Sequence, residues 1–252
     1  MNVLASLLAE NRKYDPVYDH PNGKLSNHLS MALIALNKMS ASDERLIDYY
    51  KTYSLHLNPI SFTSSARLNS NNWHQTLGDA SFFFDYILFF ENEIQLHGVR
   101  LTLKQYLGTL LKGMAEFHGL IRLAYAVEIK DDREIAYSLA YFAAYYHSFG
   151  EGKRSPLVFY QPQDALSHIR TMPSLANKKF TGKNILERLD KIALLDDFPC
   201  VMHLLEVNEN KNLLCDCADI LLALYASTRD FVLLHVLTLT QALRIFYSFC
   251  GA

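Results

Sequence analysis

Apolar residues recur at three- and four-residue spacing through almost every segment between breakers, and alternating runs of the strand type are scarce. That periodicity predicts amphipathic helices throughout, an all-α chain. Ser26 and Asn27 can cap a helix running through HLSMALIALNKM, and Ser42 followed by Asp43 and Glu44 opens another, because a hydroxyl at the cap and acids in the first turn both satisfy free amides. Asn58 to Asn72, with Pro59 and a Ser/Asn-rich tract, reads as a long surface loop. From Asp79 to Ile129 the pattern predicts three closely joined helices, the first ended by Gly98 and the second separated from AEFHGLIRLAYAVE near Gly113. Asp131 and Asp132 start a Tyr-rich helix, REIAYSLAYFAAYYH, that stops near Gly150. The segment at 150–163, GEGKRSPLVFYQPQ, has the glycines and prolines of a linker or of a lid over a cleft. About three further helices are expected, the last two being CADILLALYAST and FVLLHVLTLTQALRIFYSF. No fixed-period repeat marks a solenoid.

With 252 residues and 50% hydrophobic composition the chain can bury a large core. One compact multi-helix domain over residues 1–252, with an interior cleft between helices, is therefore the expectation. The 24 basic and 26 acidic residues, net charge −2, are spread along the sequence without a basic stripe, which argues against nucleic acid as a partner. Asp85 interrupts the most apolar run, SFFFDYILFF, and no stretch reaches the roughly 18 uncharged apolar residues of a membrane span. Cys200, Cys215, Cys217 and Cys250 all fall late in the chain, and a C-x-C pair on a helix points its sulfurs to different faces, so reduced thiols are expected rather than a shared metal or a disulfide framework. The start MNVLASLLAENRKY lacks a basic leader and a small-residue cleavage site, so the expected location is the cytoplasm. Oligomeric state stays open.

Phosphate-cradling loops, a G-x-S-x-G elbow, H-E-x-x-H and a dinucleotide fingerprint are all missing from the sequence. What remains is histidine. Of the ten, His28, His118, His147 and His235 lie inside apolar helical segments. A histidine on an apolar face must be neutral or partnered, and a core imidazole bonded to a carbonyl is the plain account of any one of them. Several on different helices also match the way bundles build metal sites, with ligands pointing inward from facing helices, and neutral imidazole suits iron, copper and zinc. On its helix His118 shares a stripe with Arg122 and Tyr125. A histidine, a fixed cation and a phenol could ligate a metal, hold an anionic oxygen and donate a proton. The competing account is a salt bridge from Arg122 to Glu116 or to a neighbouring helix, with Tyr125 as a core wedge. His235 shares a face with Thr238 and Ala242, although threonine back-bonding explains that seam without a ligand. The ladder Tyr137, Tyr141, Tyr145 and the phenylalanines between Phe82 and Phe90 read as core packing.

Taken together, NHLSMALIAL at 27–36, EFHGLIRLAYAVE at 116–128 and LYASTRDFVLLHVLTLTQALR at 224–244 resemble, in order and approximate separation, the N-H-x-x-M/H, F-H-G/P-x-I-R/H and L-H-x-V-T-x-x-x-A-L/R segments of the questin oxidase-like family. NNWHQTLGDASFFFDYILFFENEI between the first two is similar to that family's W-x-x-x-L-G element and the helix after it. The resemblance covers most of residues 20 to 247. It implies an oxygenase-like oxidoreductase acting with O2 on an aromatic or polycyclic, polyketide-like small molecule; the founding activity opens an anthraquinone ring. It also implies iron bound by histidines, with His28, His118 and His235 as the metal or active-site residues and Arg122 beside them; the leading expectation adds Fe(II) as the metal and Tyr125, from the stripe it shares with His118, as proton donor. Some relatives carry further histidines where this chain has Met31, Arg122 and Gln241, so His147, His203 or a carboxylate is the candidate to complete a larger ligand set. Three protein ligands with open positions suit a catalytic iron.

Two rival readings follow from the same residues. The histidines could serve as general base and hydrogen-bond donors without a metal, or the chain could be a binding or effector protein on the same helical scaffold, since fold alone does not fix function.

Overall fold

Helices carry nearly all of the regular structure in the computed structural model, which describes residues 2–21, 23–60, 63–64, 66–113, 117–176, 178–206 and 213–250, the side chains of 248–250 excepted. Among the described residues the order is α1 (Val3–Asn11), β1 (Val17–His20), β2 (Gly23–Ser26), α2 (Leu29–Lys38), α3 (Asp43–Ser54), α4 (Phe83–Leu110), α5 (His118–Ile129), α6 (Asp132–Ala144), α7 (Pro162–Ile169), α8 (Ile185–Ala193), α9 (Phe198–Val201), α10 (Leu213–Thr228) and α11 (Phe231–Cys250). The fold class is all-α, as the periodicity predicts. Contacts divide the chain into two units: Met1–His147 with Ile245–Ala252, and Ser148–Arg244.

In the first unit, α1, α2 and α3 enclose an apolar cluster of Leu4, Leu8, Leu29, Leu33, Ile34, Leu46 and Leu57. Ser42 caps α3 as expected, accepting from the Arg45 amide, whereas the cap position of α2 falls on His28, with Asn27 just before it accepting from the Leu29 amide. The only sheet among the described residues is the antiparallel hairpin β1–β2, pairing Val17 with Ser26 through His20 with Gly23. The sequence reading did not predict it. Asn22-Gly23 between two short runs is a turn signal in the sequence, and Gly23, which pairs with His20 where β2 begins, has a φ of 107° that favours glycine.

Helix α6 is the centre of this unit, with every residue from Glu134 to Ala144 buried. Its cap is Asp131, whose side chain accepts from the Glu134 amide at 2.9 Å. Against it lie α5 and the long α4. Gly119 lets α5 approach closely, because a Cβ there would meet the Phe142 side chain of α6 at 2.8 Å. In α4 the expected stop at Gly98 appears as a break in a continuing helix: Gly98 adopts φ 76°, ψ 160°, and helical geometry resumes after it. Aromatic side chains of α4 pack on Trp73, which meets Tyr106 edge-on with ring centres 5.0 Å apart; of the phenylalanines read as core, Phe83, Phe89 and Phe90 are buried, while Phe82 and Phe84 are half-buried.

In the second unit, α7, α8, α9 and α10 precede α11, whose residues from Ile245 on count with the first unit. The segment at 150–163 is anchored inside this unit: the Lys153 amide donates to Pro199, and Phe159 exchanges backbone bonds with Leu204 and Glu206 at 2.7 and 3.0 Å. Cys200, Cys215 and Cys217 are free thiols, and the Cys250 side chain lies outside the described residues. Among the described residues no helix is long and apolar enough to cross a membrane.

Candidate functional site

The turn from the hairpin into α2 is built from buried polar groups. Asn27, 1% exposed, donates from Nδ2 to Asn11 Oδ1 and to the Asp15 carbonyl, while its backbone amide donates to Pro16. That fixes the next residue, His28, whose amide donates to the Tyr53 hydroxyl at 3.1 Å and whose ring Nδ1 lies 2.7 Å from the Ser26 carbonyl oxygen. A carbonyl can only accept, so Nδ1 carries the proton in that bond and, in the neutral ring, the lone pair sits on Nε2. Burial raises the Tyr53 phenol well above its ordinary pKa, so the group meeting the His28 amide is a neutral hydroxyl. Below the same turn the Ser26 hydroxyl and the Tyr141 hydroxyl of α6 are 2.7 Å apart.

His118 enters from the first turn of α5 and is 4% exposed. The residue before it, Phe117, holds φ 72°, ψ −17°, a left-handed conformation that a bulky side chain rarely adopts. The strained turn sets the direction in which α5 starts, and thereby where His118 points. Its ring meets that of His28 edge-on, with centres 4.8 Å apart and planes at 89°. Two imidazoles from α5 and from the N-terminal turn of α2, both expected from sequence, are therefore brought together within the first unit.

The other predicted residues have different surroundings. Arg122, one turn on from His118, is 1% exposed and donates through Nε and Nη2 to Glu134 Oε1 of α6 at 3.0 and 2.7 Å, with its guanidinium 4.2 Å from the centre of the Tyr137 ring. Burial alone pushes the guanidinium's pKa down, and the Glu134 carboxylate outweighs that, holding Arg122 above its ordinary value. This is the salt bridge to a neighbouring helix that stood against an anion-holding role. The alternative partner Glu116 lies outside the described residues. Tyr125 packs against the apolar cluster of α1–α3. His147 follows α6, half-buried. His235 belongs to the second unit, where its Nδ1 donates to the Phe231 carbonyl at 2.8 Å and its ring lies edge-on to Phe231. That bond fixes the same tautomer as in His28. His203, also in the second unit, is exposed. Glu134, Tyr53 and the Ser26 carbonyl were not singled out from sequence. An arginine in an oily helix does call for a buried acid, but Glu134 stands three residues after Asp131 and reads as an ordinary helix start.

In this all-α protein two helix starts bring together a half-buried and a buried imidazole, one ring oriented by a backbone carbonyl, an arrangement of the kind helical proteins use to place polar groups between helices. The chain is a member of the questin oxidase-like family, whose model matches residues 25–252 and so places it in a family of oxidoreductases. No curated protein matches the chain.

Proposed function

We propose that this protein is an oxygenase acting with O2 on an aromatic or polycyclic small molecule, with the His28–His118 pair at the heart of its site. The observation that carries the reading is the His28 ring, bonded through Nδ1 to the Ser26 carbonyl and set edge-on against His118. Metal-bound histidines characteristically donate their other ring N–H to a carbonyl or carboxylate, which fixes the tautomer and the ring plane. The donor set fits Fe(II): His28 and His118 would hold it from the first unit, and His235, bonded to its own carbonyl in the same manner, is the third ligand on the strength of the sequence resemblance. Bound iron would supply the activation of dioxygen.

The chain's own residues supply orientation. Tyr53 accepts from the His28 amide and Asn27 from the Leu29 amide next to it, and the Arg122–Glu134 pair ties α5, which carries His118, to the buried α6. Arg122 acts here as a positioning residue. Tyr125 is retained as the proton donor, and Tyr125→Phe separates that role from ligation, since it should lower turnover while leaving bound metal unchanged.

The deciding measurement is metal content after growth in iron-supplemented medium, for wild type, His28→Ala and His118→Ala, with helix content checked by circular dichroism. Close to one iron per chain is expected in the wild type and a large loss in both variants, together with O2 uptake on a polyhydroxylated anthraquinone that strong chelators abolish. Wild-type protein with far less than one metal per chain, or turnover that survives chelation, overturns the reading.

A further inference from the structure

Away from the histidine pair, the first unit has a second feature shaped for a ligand. A cleft of about 580 Å³ opens between α4, the start of α6 and the end of α1, within the range of small-molecule sites. Its α4 wall is a helical stripe of Phe84, Ile87, Leu88 and Ile94, at the three- and four-residue spacing of a face meant to be covered. Leu88 is nonetheless 45% exposed. The buried Tyr137 ring also lines the cleft; its hydroxyl donates to the Tyr14 carbonyl, so it presents an aromatic surface rather than a polar group.

The polar end is Arg12. This guanidinium, its side chain 17% exposed, reaches Glu134 Oε2 at 3.3 Å and Asp131 Oδ2 at 3.5 Å through the same Nη1. Both bonds are long. Glu134 already accepts two shorter bonds from Arg122, so Arg12 is the weakly held member of a buried network with two arginines around one carboxylate. Among the described residues the Arg12 Nη2 and Nε groups make no hydrogen bond. Glu91, Asp132 and Arg133 at the rim are exposed and of mixed sign, and such solvated charges decide little. The half-buried cation sets the preference.

We propose that this cleft is a binding site for a small amphipathic acid, its anionic head on Arg12 and its apolar body along Phe84, Ile87, Leu88 and Ile94 of α4. An amphipathic acid there completes the donors Arg12 leaves over and covers the exposed Leu88 with the half-buried Phe84 and Ile87 beside it, two gains that need each other and select an acid over a neutral hydrocarbon.

Octanoate titrated into the full chain by calorimetry tests this, with octan-1-ol as the headless control and with Leu88→Glu and Arg12→Gln as variants. One site per chain is expected, with Kd on the order of 0.1 mM for a ligand of about ten heavy atoms. Loss of the ion pair, through octanol or through Arg12→Gln, should weaken binding about tenfold or more, as should the charge that Leu88→Glu sets against the ligand's apolar body. Leu88→Glu lies on an exposed position outside the ion network, so it stays informative should Arg12→Gln unfold. Octanoate that does not bind, or that binds Leu88→Glu as well as wild type, or octanol that binds as tightly as octanoate, overturns the proposal.

Discussion

Within 4 Å of one carboxylate, Glu134, sit the guanidinium groups of two arginines whose situations differ: Arg122 is 1% exposed, whereas the Arg12 side chain keeps 17% of its surface. Removing the acid strands a fully buried cation, which costs about 3–5 kcal/mol, whereas removing the outer cation leaves Glu134 still paired with Arg122 and costs below about 1 kcal/mol. Urea unfolding of Glu134→Gln and Arg12→Gln should therefore show losses several-fold apart. Equal losses would mean that the network works as one unit and that the burial argument fails. The same residue explains what could be read in advance. Arg122 and the histidines stood out because polar groups in an apolar period are conspicuous. Glu134 did not, because its backbone plays the ordinary capping part with Asp131 while its side chain turns inward to Arg122; one residue does two jobs and sequence displays only the first.

Among the elements, α4 is where the reading from sequence came nearest and still missed the geometry. Gly98 was expected to end a helix; instead the helix breaks and resumes, because glycine alone tolerates φ 76°, ψ 160° and the residues after it return to helical angles. A Cβ at Gly98 would meet nothing within 4 Å, so Gly98→Ala isolates the backbone term and should lower stability by about 1–3 kcal/mol. Gly108, exposed in the same helix at ordinary helical angles and equally uncrowded, is the control: Gly108→Ala should raise stability by about 0.5–1 kcal/mol. Opposite signs in chemical denaturation are the expected outcome; a neutral Gly98→Ala would mean that the break straightens without strain. The hairpin was lost for a different reason. Its strands are four residues each, too short for alternation to register against the helical period that dominates the chain, and only Asn22-Gly23 announced it. Helix positions were legible because amphipathic spacing persists over ten residues or more, while the meeting of His28 with His118 depends on how α2 and α5 pack, which no spacing encodes.

On the scale of the whole chain, tyrosine sets the response to alkali. The 15 tyrosines include a set in the first unit whose phenols burial pushes up: Tyr86 and Tyr145 to about 12, with Tyr53, Tyr106 and Tyr137 higher still. In each case desolvation is the largest cause, since a phenolate buried among apolar neighbours loses its hydration. A phenol in the unfolded chain ionises near 10.0, below its folded value, so above that pH the unfolded state sheds protons that the folded state retains. The contribution of these groups to stability is therefore complete below about pH 10 and is lost as pH climbs from there through 12 and beyond. Arg122 keeps its charge across this range, its pKa being held above the ordinary value by Glu134, so the ion pair adds no competing transition. Unfolding free energy measured from pH 8 upward should be level and then fall, and absorbance at 295 nm should show the exposed phenols ionising first and the buried group later, in step with loss of helical dichroism. A single phenolate titration centred near 10 with the helices intact would contradict the burial of these rings, and with it the packing of α4 and α5 on α6 that brings His118 to His28.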